Sequence, residues 1–105
     1  MAAIKFDATG LLPVIVQSIS DNQILMQAFM NKTALQQTLT TGRMVFWSRS
    51  RHQLWVKGAT SGNYQTWIEL LLDCDGDSLL ARVKPNGPAC HLGTLSCYQR
   101  KLSQK

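Results

Sequence analysis

Leu12-Pro13-Val14-Ile15-Val16-Gln17, followed by Asp21-Asn22, Ile24-Leu25-Met26-Gln27-Ala28-Phe29 and Asn31, is the stretch on which the architecture turns. The two apolar runs read as strands, and Asp21-Asn22, both turn formers, as the reversal between them. Asn31 then stands where a helix N-cap is wanted, Ala34, Leu35, Thr38 and Leu39 form a helical stripe, and Gly42 fits just beyond the C-terminus. Working outward, Met44 to Trp47, Leu54 to Lys57, Tyr64 to Leu72 and Leu79 to Val83 read as strands separated by Arg/Ser-rich or Gly-rich turns. Pro85-Asn86-Gly87-Pro88 must be a loop. The expectation is an α+β fold: a mostly antiparallel sheet with one main helix, in one small domain over residues 1–105, without repeats, linkers or low-complexity tracts.

A chain of 105 residues has room for one domain. At 11.7 kDa its folded surface should be roughly 5,900 Å², about 65% of the unfolded surface being buried, which supports one modest core. A deep ligand cavity would use much of that core, so the expected site is shallow or completed by a second copy of the chain. With 45% hydrophobic and 16% charged residues the composition is globular and argues against intrinsic disorder. The longest apolar stretches, Leu11 to Val16 and Leu70 to Leu72, fall far short of the ~18 to 20 residues of a membrane helix. The N-terminus has no secretory pattern, and the expected location is the cytoplasm. Three cysteines, Cys74, Cys90 and Cys97, cannot all pair within one chain, and a reducing compartment keeps them as thiols.

The net charge of +5 is unevenly spread. No acid lies between Asp21 and Glu69, a span that holds Lys32, Arg43, Arg49, Arg51 and Lys57, whereas Asp73, Asp75 and Asp77 put half of the six acids into five residues. Repulsion at that point is relieved by a bound cation.

Cys90 follows Cys74 after fifteen residues and Cys97 follows Cys90 after six, which is not the short C-x-x-C pair of zinc fingers. Three thiolates leave a tetrahedral zinc one open position, the mark of a catalytic rather than a structural site. The competing reading is buried thiols packed as small hydrophobes; against it, Cys74 lies between aspartates and Cys90 lies in a Pro/Gly loop beside His91. Asp73-Cys74-Asp75-Gly76-Asp77 starts like a calcium loop, but an EF-hand counted from Asp73 needs Gly and Glu where Ser78 and Lys84 stand. Three carboxylates around one turn still suit a hard cation such as Mg²⁺, and otherwise form a solvated acidic turn. Trp47-Ser48-Arg49-Ser50-Arg51 and Lys57-Gly58-Ala59-Thr60-Ser61-Gly62-Asn63 gather guanidinium groups, hydroxyls and free backbone N–H groups of the kind that bind phosphate, without forming a Walker A loop. Solvated surface is the bland alternative for the Arg/Ser turn, and core packing for its aromatic neighbours. His91 can serve as general acid, general base or proton shuttle beside a zinc-bound water.

Together these residues closely resemble the phosphoribosyl-AMP cyclohydrolase family of histidine biosynthesis, from about Leu12 to Arg100. The resemblance rests on Met26-Gln27-Ala28-Phe29-Met30-Asn31, Phe46-Trp47-Ser48-Arg49-Ser50-Arg51, Leu54-Trp55-Val56-Lys57-Gly58, Thr60-Ser61-Gly62-Asn63, Asp73-Cys74-Asp75-Gly76-Asp77, Gly87-Pro88-Ala89-Cys90-His91, and Gly93 with Ser96-Cys97. It implies hydrolysis of N1-(5-phosphoribosyl)-AMP with opening of the adenine ring between N1 and C6. It also implies one zinc per subunit on Cys74, Cys90 and Cys97, magnesium on Asp73, Asp75 and Asp77, and an intertwined homodimer whose zinc site takes cysteines from both subunits. Alkylation at N1 makes C6 electrophilic, so an activated water can attack it; one proton must leave that water and another must reach N1, with His91 the candidate for one transfer. Trp47, Ser48, Arg49, Ser50, Arg51, Lys57, Thr60, Ser61, Gly62 and Asn63 are the expected substrate anchors. One position departs from the family pattern: Ala59 stands where a glutamate is usual, and slower turnover follows if that acid moves a proton or positions substrate. The chain ends at Lys105, so the pyrophosphohydrolase domain fused to some family members is not expected.

Two rivals come from other classes. A zinc-stabilised RNA-binding module would use the basic middle and its aromatics, but no RNP-type pattern is present and the acidic cluster would repel a phosphate backbone. A zinc nucleoside deaminase needs H-x-E with P-C-x-x-C, and neither occurs.

Overall fold

The computed structural model describes residues 3–90 and 92–105. Their elements are β1 (Leu12–Ser18), β2 (Ile24–Met30), α1 (Lys32–Thr41), β3 (Val45–Ser48), β4 (Gln53–Val56), β5 (Gln65–Leu72) and β6 (Leu79–Pro85). β1 pairs antiparallel with β2 and β5 with β6, and the two hairpins join where β1 runs parallel to β6, Val14 opposite Leu79 and Val16 opposite Ala81. The resulting order is β2-β1-β6-β5. The expected α+β fold with a mostly antiparallel sheet and one helix is therefore observed, with a parallel pair at its centre.

Side chains alternate faces along a strand. On β1 and β6 the inward set, Leu12, Val14, Val16, Leu79, Ala81 and Val83, is buried against Met26 and Met30 of β2, Ala34 and Leu35 of α1, and Met44, Val45 and Phe46. The opposite face keeps Ile15 and Leu80, neighbours across the parallel pair, only half-buried.

α1 begins where Asn31 turns extended backbone into helix, its side-chain oxygen accepting from the Ala34 N–H at 2.8 Å. It ends at Gly42, whose left-handed φ of 78° lets its N–H return to the Thr38 carbonyl. Of the expected stripe, Ala34, Leu35 and Thr38 are buried but Leu39 is 53% exposed, because α1 packs mainly on β2 and β3 and the outer side of its last turn meets solvent.

β3 and β4 form a separate hairpin. It is fastened to the β5 edge where Met44 N donates to Gln65 O at 2.9 Å and Trp67 N to Gly42 O at 3.1 Å. Met44 thus spends its N–H on β5, and strand β3 starts one residue later than the sequence suggests. Among the described residues no helix is long and apolar enough to cross a membrane.

Candidate active site and metal ligands

Two loops meet at a cleft of about 620 Å³. One side is β4 and the turn after it, from Leu54 through Lys57 to Ser61 and Asn63; the other is Pro88, Ala89, Cys90 and Gly93. The first loop folds back on itself at Gly58, where Gly62 N donates to Gly58 O at 2.7 Å. Only glycine fits there: φ is +86°, and a Cβ would lie 2.3 Å from the Asn63 carbonyl carbon and from Tyr64 N. Asn86 fastens the second loop to the first, its backbone N–H on Tyr64 O at 2.8 Å and its side-chain amide on Gly62 O at 3.0 Å. Lys57, Thr60, Ser61 and Asn63, expected to hold substrate, therefore line the same cleft as Cys90.

The C-terminal loop turns tightly, Cys90 N donating to Thr94 O at 3.2 Å and Gly93 N to Cys90 O at 3.0 Å. Its far arm is pinned to β2 by Cys97 N on Leu25 O at 2.7 Å and by the Ser96 hydroxyl on Ile24 O at 2.6 Å. The turn places the Cys90 and Cys97 thiols near enough to influence each other's ionisation. The Leu92 N–H and the Thr94 hydroxyl lower the pKa of Cys90 against the opposing effect of burial, with smaller help from Cys97 and the Lys57 charge. Burial, then the charge and hydrogen bond of Cys90, raise that of Cys97, while Lys57 opposes them. The pair thus divides into a better and a poorer thiolate, a donor set suited to a thiolate-binding metal. Cys74 is exposed and does not complete a three-ligand cluster with this pair within the chain; the one such cluster among the described residues is Asp73, Asp75 and Asp77.

Those three carboxylates lie within 4.8 Å of one another on the β5–β6 turn. The turn closes through Gly76 N on Asp73 O at 3.1 Å and Asp77 N on Asp73 Oδ1 at 3.0 Å, and the N-terminal segment braces it with Lys5 N on Gly76 O at 2.7 Å. Burial pushes the Asp73 pKa up, but hydrogen bonds from Asp77, Gly76 and Ser78 outweigh it and the net direction is down. The hydrogen bond and charge of Asp73 raise that of Asp77. A group of exposed acids that repel one another is suited to a hard divalent cation.

The β3–β4 tip stands apart from this cleft. Trp47, Ser48, Arg49 and Ser50 border an open groove of about 520 Å³ with Gln27, Phe29 and Trp55, and Ser48 and Arg51 border another of about 340 Å³. Trp55 is the wall common to all three recesses. The Arg49 guanidinium lies 3.9 Å from the centre of the Phe29 ring. Within one chain, then, these anchors do not converge with Lys57 to Asn63. Gly62 belongs to the first loop without lining the cleft, and His91 lies outside the described residues. Sequence reasoning missed Asn86 and Ser96, which shape the site through backbone bonds; the turn chemistry of Pro85-Asn86-Gly87-Pro88 was the only signal for the first.

The phosphoribosyl-AMP cyclohydrolase family model matches residues 26–99. A protein named phosphoribosyl-AMP cyclohydrolase from Salinibacter ruber is 56% identical over 101 residues, spanning 96% of this chain and 80% of its own. One of the same name from Alkalilimnicola ehrlichii is 52% identical over 102 residues, 97% of this chain and 72% of its own. The histidine biosynthesis bifunctional protein HisIE of Thermus thermophilus is 50% identical over 102 residues, 97% of this chain and 48% of its own. With the cleft, the thiol pair and the acidic turn all inside or beside the matched span, the chain belongs to the phosphoribosyl-AMP cyclohydrolase family of enzymes.

Proposed function

We propose that this chain hydrolyses the N1–C6 bond of N1-(5-phosphoribosyl)-AMP in histidine biosynthesis, using a three-cysteine zinc site and a three-aspartate magnesium site. The observation that carries the reading is the cleft in which the Cys90 loop faces the Lys57–Asn63 loop, in a chain of this family. Cys90 and Cys97 of one chain, with Cys74 of the partner subunit, would hold the zinc, and Asp73, Asp75 and Asp77 the magnesium. When bound, a three-thiolate Zn²⁺ with an open position lowers the pKa of a water to about 7, and Mg²⁺ neutralises phosphate.

The chain's own side chains do the rest. Thr60, Ser61, Gly62 and Asn63 offer hydroxyl and backbone donors to one end of the substrate, while Trp47, Ser48, Arg49, Ser50 and Arg51 offer charge and an aromatic wall to another. Lys57 contributes its ammonium at the cleft. His91, next to Cys90 in sequence, carries one of the two proton transfers that the hydrolysis requires. A homodimer is part of the reading, since among the described residues of one chain the three cysteines form no three-ligand cluster. The accessible surface of the single chain, 6943 Å², exceeds the ~5,900 Å² expected of a lone protein of this mass by roughly 1,000 Å², an excess of the same order as the ~800 Å² that one partner buries in a standard interface.

The test is turnover. Purified protein with Zn²⁺, Mg²⁺ and phosphoribosyl-AMP is expected to give the ultraviolet change of ring opening, and Cys90→Ser to lose both that activity and its zinc. Full activity in Cys90→Ser would refute the zinc assignment; no activity in metal-loaded parent protein would refute the reaction.

A further inference from the structure

Lys57 follows the last residue of β4 and reaches across the cleft, its Nζ donating to the carbonyl oxygen of Ala89 at 2.6 Å, 32 residues away. That carbonyl belongs to the peptide leading directly into Cys90. Among the described residues, no other side chain outside the C-terminal loop bonds to residues 87–95. The remaining bonds of the Cys90 arm are internal: Ala89 N to Leu95 O, Cys90 N to Thr94 O and Gly93 N to Cys90 O. The Cys97 arm, by contrast, is held on β2 through Leu25 and Ile24. Two ligand arms are thus fastened to two different parts of the fold: the Cys90 arm is anchored at its start by Asn86 and by the burial of Ala89, and next to Cys90 itself by one charge-assisted hydrogen bond from Lys57.

We infer that Lys57 is a positioning residue for the thiol pair: by holding the Ala89 carbonyl it sets where Cys90 stands relative to Cys97, and so how well the two sulfurs grip one metal ion. A group that orients a ligand from behind in this way commonly controls metal affinity by one to two orders of magnitude. A lysine serving only as a phosphate anchor would leave its ammonium free for substrate, whereas here one of its three N–H bonds is committed to the loop. The inference rests on the zinc reading given above, and the experiment separates the two.

The measurement is Zn²⁺ affinity of the metal-stripped full chain, by competition with a chromophoric chelator, alongside the thiolate-to-metal absorption of the Co²⁺-loaded protein. Lys57→Met is expected to weaken Zn²⁺ binding about 10- to 100-fold and to alter the Co²⁺ spectrum; Lys57→Arg, which keeps charge and donor, is expected to restore most of both. The loss in turnover should be recovered by excess Zn²⁺ without a matching change in KM. Unchanged Zn²⁺ affinity and Co²⁺ spectrum in Lys57→Met, with a raised KM, would overturn the inference and leave a substrate anchor. If Lys57→Met does not fold, Lys57→Gln is read against the same expectations. Parent protein that takes up neither Zn²⁺ nor Co²⁺ would overturn the zinc reading itself.

Discussion

Thr38 is fully buried in α1 and joins three elements. Its hydroxyl accepts from Val45 N at 3.0 Å and donates to Val45 O at 3.3 Å, so it completes the backbone bonding at the start of β3. Its own carbonyl accepts from the Trp67 indole at 2.7 Å as well as from Gly42 N. Thr38→Val keeps the shape but leaves the Val45 N–H buried without a partner, and is expected to cost about 1–3 kcal/mol. Urea unfolding with an unchanged m-value would register it; a change under ~0.5 kcal/mol would show that Val45 finds another acceptor. Sequence could place Thr38 on the inward stripe of a helix but not name its partner, because no local pattern encodes a bond to a strand that packs on it later. The same limit applies to the sulfurs. Spacing and residue type singled out Cys74, Cys90 and Cys97, yet which two lie close in one chain depends on the long-range tie of Cys97 to Leu25, which spacing does not carry.

At the scale of elements, chemistry that acts within a few residues was legible. The Asn31 cap and the Gly42 exit appear where the sequence puts them. Asn31→Ala is expected to cost about 1 kcal/mol, seen as a lower urea midpoint with the sheet unaltered. The parallel β1–β6 pair was not legible, since neither strand's alternation says which neighbour it takes. The acidic turn offers a prediction with a sign. Asp77 has its pKa raised in the fold, so its contribution to stability is present at low pH and is lost as pH rises through the folded value. Asp73 has its pKa lowered, so its contribution is present at neutral pH and is lost as pH falls through the folded value. Without metal, the charge of Asp73 therefore opposes that of Asp77 across the turn. Asp77→Asn removes that charge and keeps a donor toward Asp73. In chelator at pH 7 its urea midpoint is expected to exceed that of the parent, with the gain vanishing below about pH 4, where carboxyls protonate. Added Mg²⁺ should reverse the order by stabilising the parent alone. A variant less stable than the parent in chelator at pH 7 would show that the carboxylate holds the turn in some other way.

For the whole molecule the question is where the third sulfur comes from. Cys90 and Cys97 share one loop of the chain, whereas Cys74 lies exposed on the acidic turn and, among the described residues, joins no cluster with them. The exposed apolar side chains include Ile68 and Leu71 on β5, at 52% and 41% exposure, and Leu92, at 70%, in the cysteine loop. In a two-fold dimer that sets the Cys74 turn of each chain against the Cys90–Cys97 loop of the other, each site has a definite parentage. Cys74→Ser and Cys90→Ser are then each inactive alone. In a mixed dimer, however, one site combines both defects and the other is wholly intact. Random reassortment of equal amounts makes half the dimers mixed, so activity is expected to return to about a quarter of that of the parent sites. If all three sulfurs served one site within a chain, no mixture of the two variants would regain activity. The double variant Cys74→Ser/Cys90→Ser gives the complementary result. Mixed equally with parent chains, it spoils both sites of every mixed dimer and should halve the activity of the parent chains present, whereas a site built within one chain would leave that activity untouched.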